Sequence, residues 1–170
     1  MGAFRIFIAD DHEVVRKGLC ALLQAEPGWE ICGEAADGRE ATEKVRELKP
    51  DAIILDIGMP GLNGIDATRQ MVRRLPTLGV LILSMHSDEA YIVQALKAGA
   101  RGYMLKDSAD TDLIRGVEAV AAGKCEGNGV KWPAWSRSRR RTQDVCAKLC
   151  VMPVFVRFAE NARGIVTIAA

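Results

Sequence analysis

The feature that most constrains this chain is an alternation, repeated five times, of a short β-rich apolar run with a stretch of helical periodicity. The runs are FRIFIA (4–9), EICGEA (30–35), AIIL (52–55), VLIL (80–83) and GYML (102–105), each the length and composition of a buried strand. Between them, apolar side chains recur at three and four: Val15, Leu19, Leu22 and Leu23; Ala41, Val45 and Leu48; Ile65, Thr68, Val72 and Leu75; Ile92, Ala95 and Leu96. A last stripe holds Leu113, Val117, Val120 and Ala121. Each stripe is first of all a core face. Consecutive parallel strands need crossover helices, and those helices bury their stripes on both faces of the sheet. The expectation is a doubly wound α/β domain around a five-stranded parallel sheet. Pro27-Gly28, Lys49-Pro50 and Pro76 mark the ends of the first three helices, and Gly99 stands where a helix carboxyl cap belongs.

The alternation stops at Gly123. Residues 1–123 carry 14 basic and 19 acidic side chains, net −5, whereas residues 124–170 carry 9 and 3, net +6. That second segment has no sustained period, holds two of the three tryptophans and includes a basic run with Arg137, Arg139, Arg140 and Arg141. The expected organisation is therefore a domain over 1–123 followed by an irregular basic tail over 124–170. With 49% hydrophobic and 26% charged residues, the chain is neither disordered nor collagen-like. No apolar run approaches the roughly 20 residues needed to cross a bilayer. The opening MGAFRIFIADDHE turns acidic too early for a secretory signal and lacks the hydroxyl residue that myristoylation uses, so a cytoplasmic address is expected. The five cysteines make no CxxC pair, which favours reduced thiols over a metal–thiolate site, with Cys20 and Cys32 as small core residues.

In open parallel sheets, ligands bind beyond the carboxyl ends of the strands, where the strand order reverses. The residues just past the strands are Asp10 and Asp11, Asp56, Ser84 and Lys106. Any one of them alone is an ordinary strand-end or capping residue. Together they place three carboxylates, a hydroxyl and an amine at one rim. Carboxylates so placed repel one another unless a hard cation shares their oxygens, and Mg²⁺ binds through one or two carboxylates plus phosphate oxygens. Asp11 and Asp56 would be direct ligands, with Asp10 acting through water. A carboxylate beside Mg²⁺ and an ammonium is placed to attack phosphorus in line, which makes Asp56 the candidate nucleophile.

Four blocks, DDHEVVRKGL from Asp10, LDIGMPGLNG from Leu55, LSMH from Leu83 and GARGYMLKDS from Gly99, resemble a two-component response regulator receiver domain. The subfamily they are most similar to carries a carboxyl-terminal helix-turn-helix DNA-binding domain. The resemblance implies the flavodoxin-like strand order 2-1-3-4-5. It implies that Asp56 accepts a phosphoryl group from a sensor histidine kinase; that Asp10, Asp11, Asp56 and the backbone carbonyl of Gly58 surround Mg²⁺; and that Lys106 pairs with the phosphoryl group. Ser84 would move toward that group, Tyr103 would pack inward behind it, and a surface around the fourth helix and fifth strand would read the change. The domain would be a stoichiometric acceptor with at most slow self-dephosphorylation, its partners a kinase and a second copy of the chain, its output transcriptional.

His86, two residues after Ser84, and His12, after the acidic pair, are loop residues first and titrating or ligating groups second. Met59, Pro60 and Gly64 shape the loop after Asp56. Asp107 stands where many receivers have proline, so no cis peptide is presumed there. The tail departs further: it is too short for a four-helix DNA-binding domain and lacks the stripes, so no recognition helix can be named. It reads as a degenerate or frame-shifted remnant whose arginines can touch phosphates without reading sequence. One enzyme-class rival and two binding rivals remain. A Mg²⁺-dependent aspartyl phosphohydrolase wants a second acid two residues past its nucleophile, where Gly58 stands. A nucleotide or flavin module wants a GxGxxG or GxxxxGK[ST] loop, and neither is present. A DNA-binding regulator working through the basic tail predicts salt-dependent duplex binding that disappears with residues 124–170.

Overall fold

Among the described residues strand and helix alternate: β1 (Phe4–Ala9), α1 (Glu13–Gln24), β2 (Trp29–Ala35), α2 (Gly38–Leu48), β3 (Ala52–Asp56), α3 (Gly64–Arg74), β4 (Gly79–Ser84), α4 (Glu89–Ala98), β5 (Gly102–Leu105) and α5 (Ala109–Ala122), with a 3₁₀ turn at Lys106–Ser108. This computed structural model describes residues 3–122. The readings made for 124–170, including the arginine run and the absence of a helix-turn-helix, lie outside the described residues.

All five strands are parallel, in the order β2-β1-β3-β4-β5. The expected strand positions hold to within a residue at either end, and the small extensions matter: β3 runs on to include Asp56 itself, and β4 includes Ser84. Chain order reverses at β1, which pairs with β2 on one side and β3 on the other. The connections leaving β1 and β3 therefore diverge and open a crevice at their carboxyl ends.

Period-two alternation sorts the strand side chains into two layers. Phe7, Ile53, Leu55, Val80, Ile82 and Tyr103 face α2, α3 and α4, whose Val45, Met71 and Ile92 close that layer. Ile6, Ile8, Ile54, Leu81, Leu83 and Met104 face α1 and α5, met by Leu19, Leu23, Leu113 and Val117. Every residue of β3 and β4 is buried, as expected of central parallel strands covered on both sides, whereas the edge strand β2 is largely half-exposed.

Helix ends follow local chemistry. Asp37 caps α2 by accepting from the Arg39 and Glu40 amides, and Asn63 caps α3 by accepting from the Asp66 amide. Gly99 ends α4 with φ +107°, as its position suggests. The loop after Asp56 differs from the sequence expectation in how its glycines act. Gly61 supplies the left-handed conformation, at φ +74°, whereas Gly64 is required for space: a Cβ there would lie 2.1 Å from the Asp56 carbonyl oxygen. The start of α3 is thus pressed against the backbone of the strand end that carries Asp56.

These contacts separate two glycine-to-alanine substitutions. Gly18, inside α1, has open space where a Cβ would sit, with no neighbour within 4 Å, so Gly18→Ala should stabilise by about 0.5–1 kcal/mol. Gly64→Ala forces backbone to move and should destabilise by about 1–3 kcal/mol. Urea unfolding midpoints of the two variants, compared with the parent chain, check both signs.

Candidate functional site

The ends of β1 and β3 deliver Asp10 and Asp56 side by side into the crevice, 1% and 4% exposed. The turn after β5 brings in Lys106, whose Nζ lies 2.7 Å from Asp10 Oδ2 and 3.0 Å from Asp56 Oδ2. One ammonium therefore bridges two buried carboxylates. The ion pair with Lys106 is the contact that Asp10 Oδ2 makes in the crevice. Asp11 and His12 stand at the outer edge, with His12 Nδ1 2.8 Å from Asp11 Oδ1 and 3.3 Å from Asp10 Oδ1. The His12 backbone amide donates to Asp10 Oδ1 at 2.9 Å.

Burial raises the Asp56 pKa above the ordinary carboxylate value; hydrogen bonding and attraction from Lys106 and a backbone hydrogen bond from Gly58 oppose this, and the nearby Asp10 charge adds to the rise. Burial works against the Lys106 ammonium, but its bonds and charge contacts with Asp10 and Asp56 outweigh that and raise its pKa. Asp10, Asp11 and Asp56 bring three carboxylates, and Lys106 supplies one positive charge at their inner side. The remaining negative charge and the all-oxygen carboxylate set fit a hard divalent cation. Ligating atoms of Asp10, Asp11, His12 and Asp56 lie within 4.8 Å of one another.

Beside this cluster, Ser84 ends β4 and is 1% exposed, its Oγ accepting from the His86 amide at 3.0 Å. Tyr103 on β5 is fully buried, and its hydroxyl donates to the His86 carbonyl oxygen at 2.7 Å. Burial pushes the Tyr103 phenol pKa up. The His86 ring stacks on Tyr91, centroids 4.6 Å apart and planes 16° from parallel. One short path thus runs from Ser84 through residue 86 to Tyr103.

Sequence reasoning locates Asp10, Asp11, Asp56 and Lys106, which the structure gathers, and places Ser84 and Tyr103 on the neighbouring strands. It treats His12 as a loop residue, which the structure sets beside Asp11, and does not single out Arg16. Arg16 lies one turn into α1 and reaches back, donating from Nη1 to the Asp10 carbonyl oxygen at 2.8 Å while Nε sits 3.4 Å from Glu34 Oε2. The available signal is spacing, four residues beyond the end of the loop. Gly58 lies at the site through its backbone, beside the Asp56 carboxylate. No peptide bond among the described residues is cis, including that between Lys106 and Asp107.

Comparison with known proteins places this geometry. A family model for the response regulator receiver domain matches residues 6–118. The chain is 44% identical over 119 residues to the transcriptional regulatory protein DegU of Brevibacillus brevis, covering 70% of this chain and 50% of that protein. It is 41% identical over 120 residues to the DNA-binding transcriptional activator DevR/DosR of Mycobacterium tuberculosis, covering 71% and 55%. The chain therefore spans about half the length of the curated relatives it matches. Among solved structures, a LuxR-family two-component response regulator from Aurantimonas sp. SI85-9A1 superposes with a TM-score of 0.69 at 38% identity, covering 72% of this chain and 88% of the other. The response regulator domain of Thermotoga maritima CheB superposes with a TM-score of 0.66 at 30% identity, covering 71% and 97%.

Folding raises the Asp56 pKa, so its stabilising contribution is full below the unfolded value, near 3.8, and is lost as pH rises through the folded value. In metal-free buffer near pH 7, Asp56→Asn should therefore melt higher than the parent chain, by roughly 4–8 °C for each kcal/mol relieved. The gap should close on acidification below the unfolded value. Lys106→Met moves stability the other way, by about 3–5 kcal/mol, because two buried carboxylates lose their shared cation. Thermal melts across pH test both.

Proposed function

This chain belongs to the response regulator receiver domain family, and on that premise we propose that it is a phosphoacceptor, Asp56 taking a phosphoryl group from the phosphohistidine of a sensor histidine kinase in the presence of Mg²⁺. The observation that carries the proposal is the placement of Asp56: buried at 4%, 3.0 Å from the Lys106 ammonium and inside a cluster with Asp10 and Asp11. An Asp56 carboxylate oxygen attacks phosphorus as the P–N bond to the kinase imidazole breaks, and the bonding electron pair leaves with the imidazole nitrogen. Asp10, Asp11, Asp56 and the Gly58 carbonyl would hold Mg²⁺, which when bound neutralises charge on the transferring phosphoryl oxygens.

The chain's own residues do the rest. Lys106 holds Asp56 and Asp10 together before transfer and afterwards pairs with a phosphoryl oxygen, since the acyl phosphate has consumed the Asp56 charge. The Ser84 hydroxyl, now accepting from the His86 amide, has its own proton to donate to that phosphoryl group. Movement of Ser84 displaces residue 86, whose carbonyl holds the Tyr103 hydroxyl, so a charge event at β3 reaches the surface of α4 and β5. With Gly58 two residues past the acceptor there is no second acid to protonate a leaving group, which supports stoichiometric acceptance over turnover. Regulation of transcription is the output that DegU and DevR/DosR suggest, with a kinase and a second copy of the chain as partners. The site of action proposed with this reading is the cytoplasm. Separately, none of the described helices is long and apolar enough to cross a membrane.

Intact mass measured after incubation with a small acyl phosphate and Mg²⁺ tests the acceptor. The parent chain should gain one phosphoryl group, Asp56→Asn should gain none, and Lys106→Met should gain it more slowly. A gain unaffected by Asp56→Asn refutes the assignment, and steady release of inorganic phosphate over many turnovers would favour a phosphohydrolase.

A further inference from the structure

The two acids that follow β1 part company within one peptide bond. Asp10 turns inward and is 1% exposed, whereas Asp11, next in the chain, stands at the outer edge of the crevice. The peptide between them is planar, so the direction of the Asp10 carbonyl also fixes the Asp11 amide and the point from which the Asp11 side chain departs. Asp10 lies past the end of β1 and ahead of α1, so that carbonyl belongs to neither element. Arg16 supplies its partner. Nη1 donates to the Asp10 carbonyl oxygen at 2.8 Å, and the Arg16 backbone amide donates to the His12 carbonyl oxygen at 3.0 Å. One residue therefore fastens the chain on both sides of Asp11. Nε, in turn, lies 3.4 Å from Glu34 Oε2. Glu34 is a firm anchor: it sits on β2 in register with Ile8 of β1, its carboxylate takes a hydrogen bond from the Cys20 thiol, and its carbonyl oxygen accepts from Lys44 Nζ at 2.9 Å.

We propose that Arg16 is a positioning residue for the acceptor site: braced on Glu34, it fixes the Asp10–Asp11 peptide and so sets where the outer carboxylate stands relative to Asp56. The inference rests on the phosphoacceptor reading and adds to it a residue that acts through the backbone instead of on the reacting atoms. The shape of the guanidinium matters here as much as its charge. Nη1 and Nε are donors held in one rigid plane, the first directed to a carbonyl and the second toward a carboxylate, whereas a lysine ammonium is a single point on a flexible stem. Without the fork, the carbonyl of an almost wholly buried residue loses its partner and turns toward another donor or toward water, carrying the Asp11 amide with it. The two halves of the brace are unequal. Arg16 is 16% exposed and Glu34 45%, so the bond to the carbonyl is sheltered from water while the ion pair is partly screened and contributes less.

The test compares the full chain with Arg16→Met and Arg16→Lys, both good helix formers at a position inside α1, with Glu34→Gln, and with Arg16→Met combined with Glu34→Gln. In metal-free buffer, amide hydrogen exchange is read at Asp10 and His12, whose amides donate to the Ala35 carbonyl oxygen and to Asp10 Oδ1. Taken relative to the β3 amides, which report global opening, it should quicken about 10-fold in both Arg16 variants. Phosphorylation by a small acyl phosphate, followed by intact mass, should then need about 10-fold more Mg²⁺ for half its maximal rate, with the final gain of one phosphoryl group unchanged at saturation. Glu34→Gln alone should raise that demand about 3-fold. In the Arg16→Met background it should add nothing, because the brace has nothing left to hold. Recovery of parent behaviour by Arg16→Lys, additive losses in the double variant, or unchanged relative exchange at Asp10 and His12 overturns the proposal. The two readings fail separately. A parent chain phosphorylated at Asp56 with indifferent Arg16 variants sinks only the positioning role, whereas phosphorylation surviving Asp56→Asn sinks the acceptor.

Discussion

The site depends on one electrostatic arrangement, the sharing of a single ammonium by two buried carboxylates. Asp10 and Asp56 come from neighbouring strands and would repel each other in a crevice almost closed to water. Lys106, 2.7 and 3.0 Å from them, makes the pair tolerable but leaves the cluster with surplus negative charge once Asp11 is counted. A cluster held in that condition favours whatever brings further positive charge, and under the proposed function it would change character once Asp56 became an acyl phosphate. The fold's role is to bring the ends of β1, β3 and β5 to the same rim without making the residues between them polar.

Much of the fold is legible in the sequence because its signals are periodic. Strands such as AIIL and VLIL are short unbroken apolar runs, and the crossover helices carry stripes that repeat every three to four residues. The candidate site is legible for a related reason: in a doubly wound sheet, the residues following the strands converge, so Asp10, Asp56, Ser84 and Lys106 stand out by position alone. The strand order itself comes from resemblance, since periodicity fixes which elements exist and not which neighbours they choose.

What escapes the sequence has no period. Arg16 serves the site by folding back to hold the Asp10 carbonyl, and His12 by turning toward carboxylates instead of capping its helix; both depend on side-chain direction across a loop. The roles of Gly61 and Gly64 are similarly invisible in composition, because one answers a backbone torsion and the other a close approach by the strand end at Asp56. The stack of His86 on Tyr91 joins a loop to a helix that begins three residues later, a contact that helical spacing does not encode.

The complete burial of β3 has a dynamic corollary. Its amides lie between β1 and β4 in the middle of the sheet, with apolar layers above and below, so their hydrogen exchange requires the most global of opening events. The proposed acceptor, Asp56, is thus mounted on the stiffest part of the domain, while Asp11, His12 and His86 stand in connecting turns. Under the proposed function, signalling would be a matter of soft surroundings rearranging about a rigid anvil.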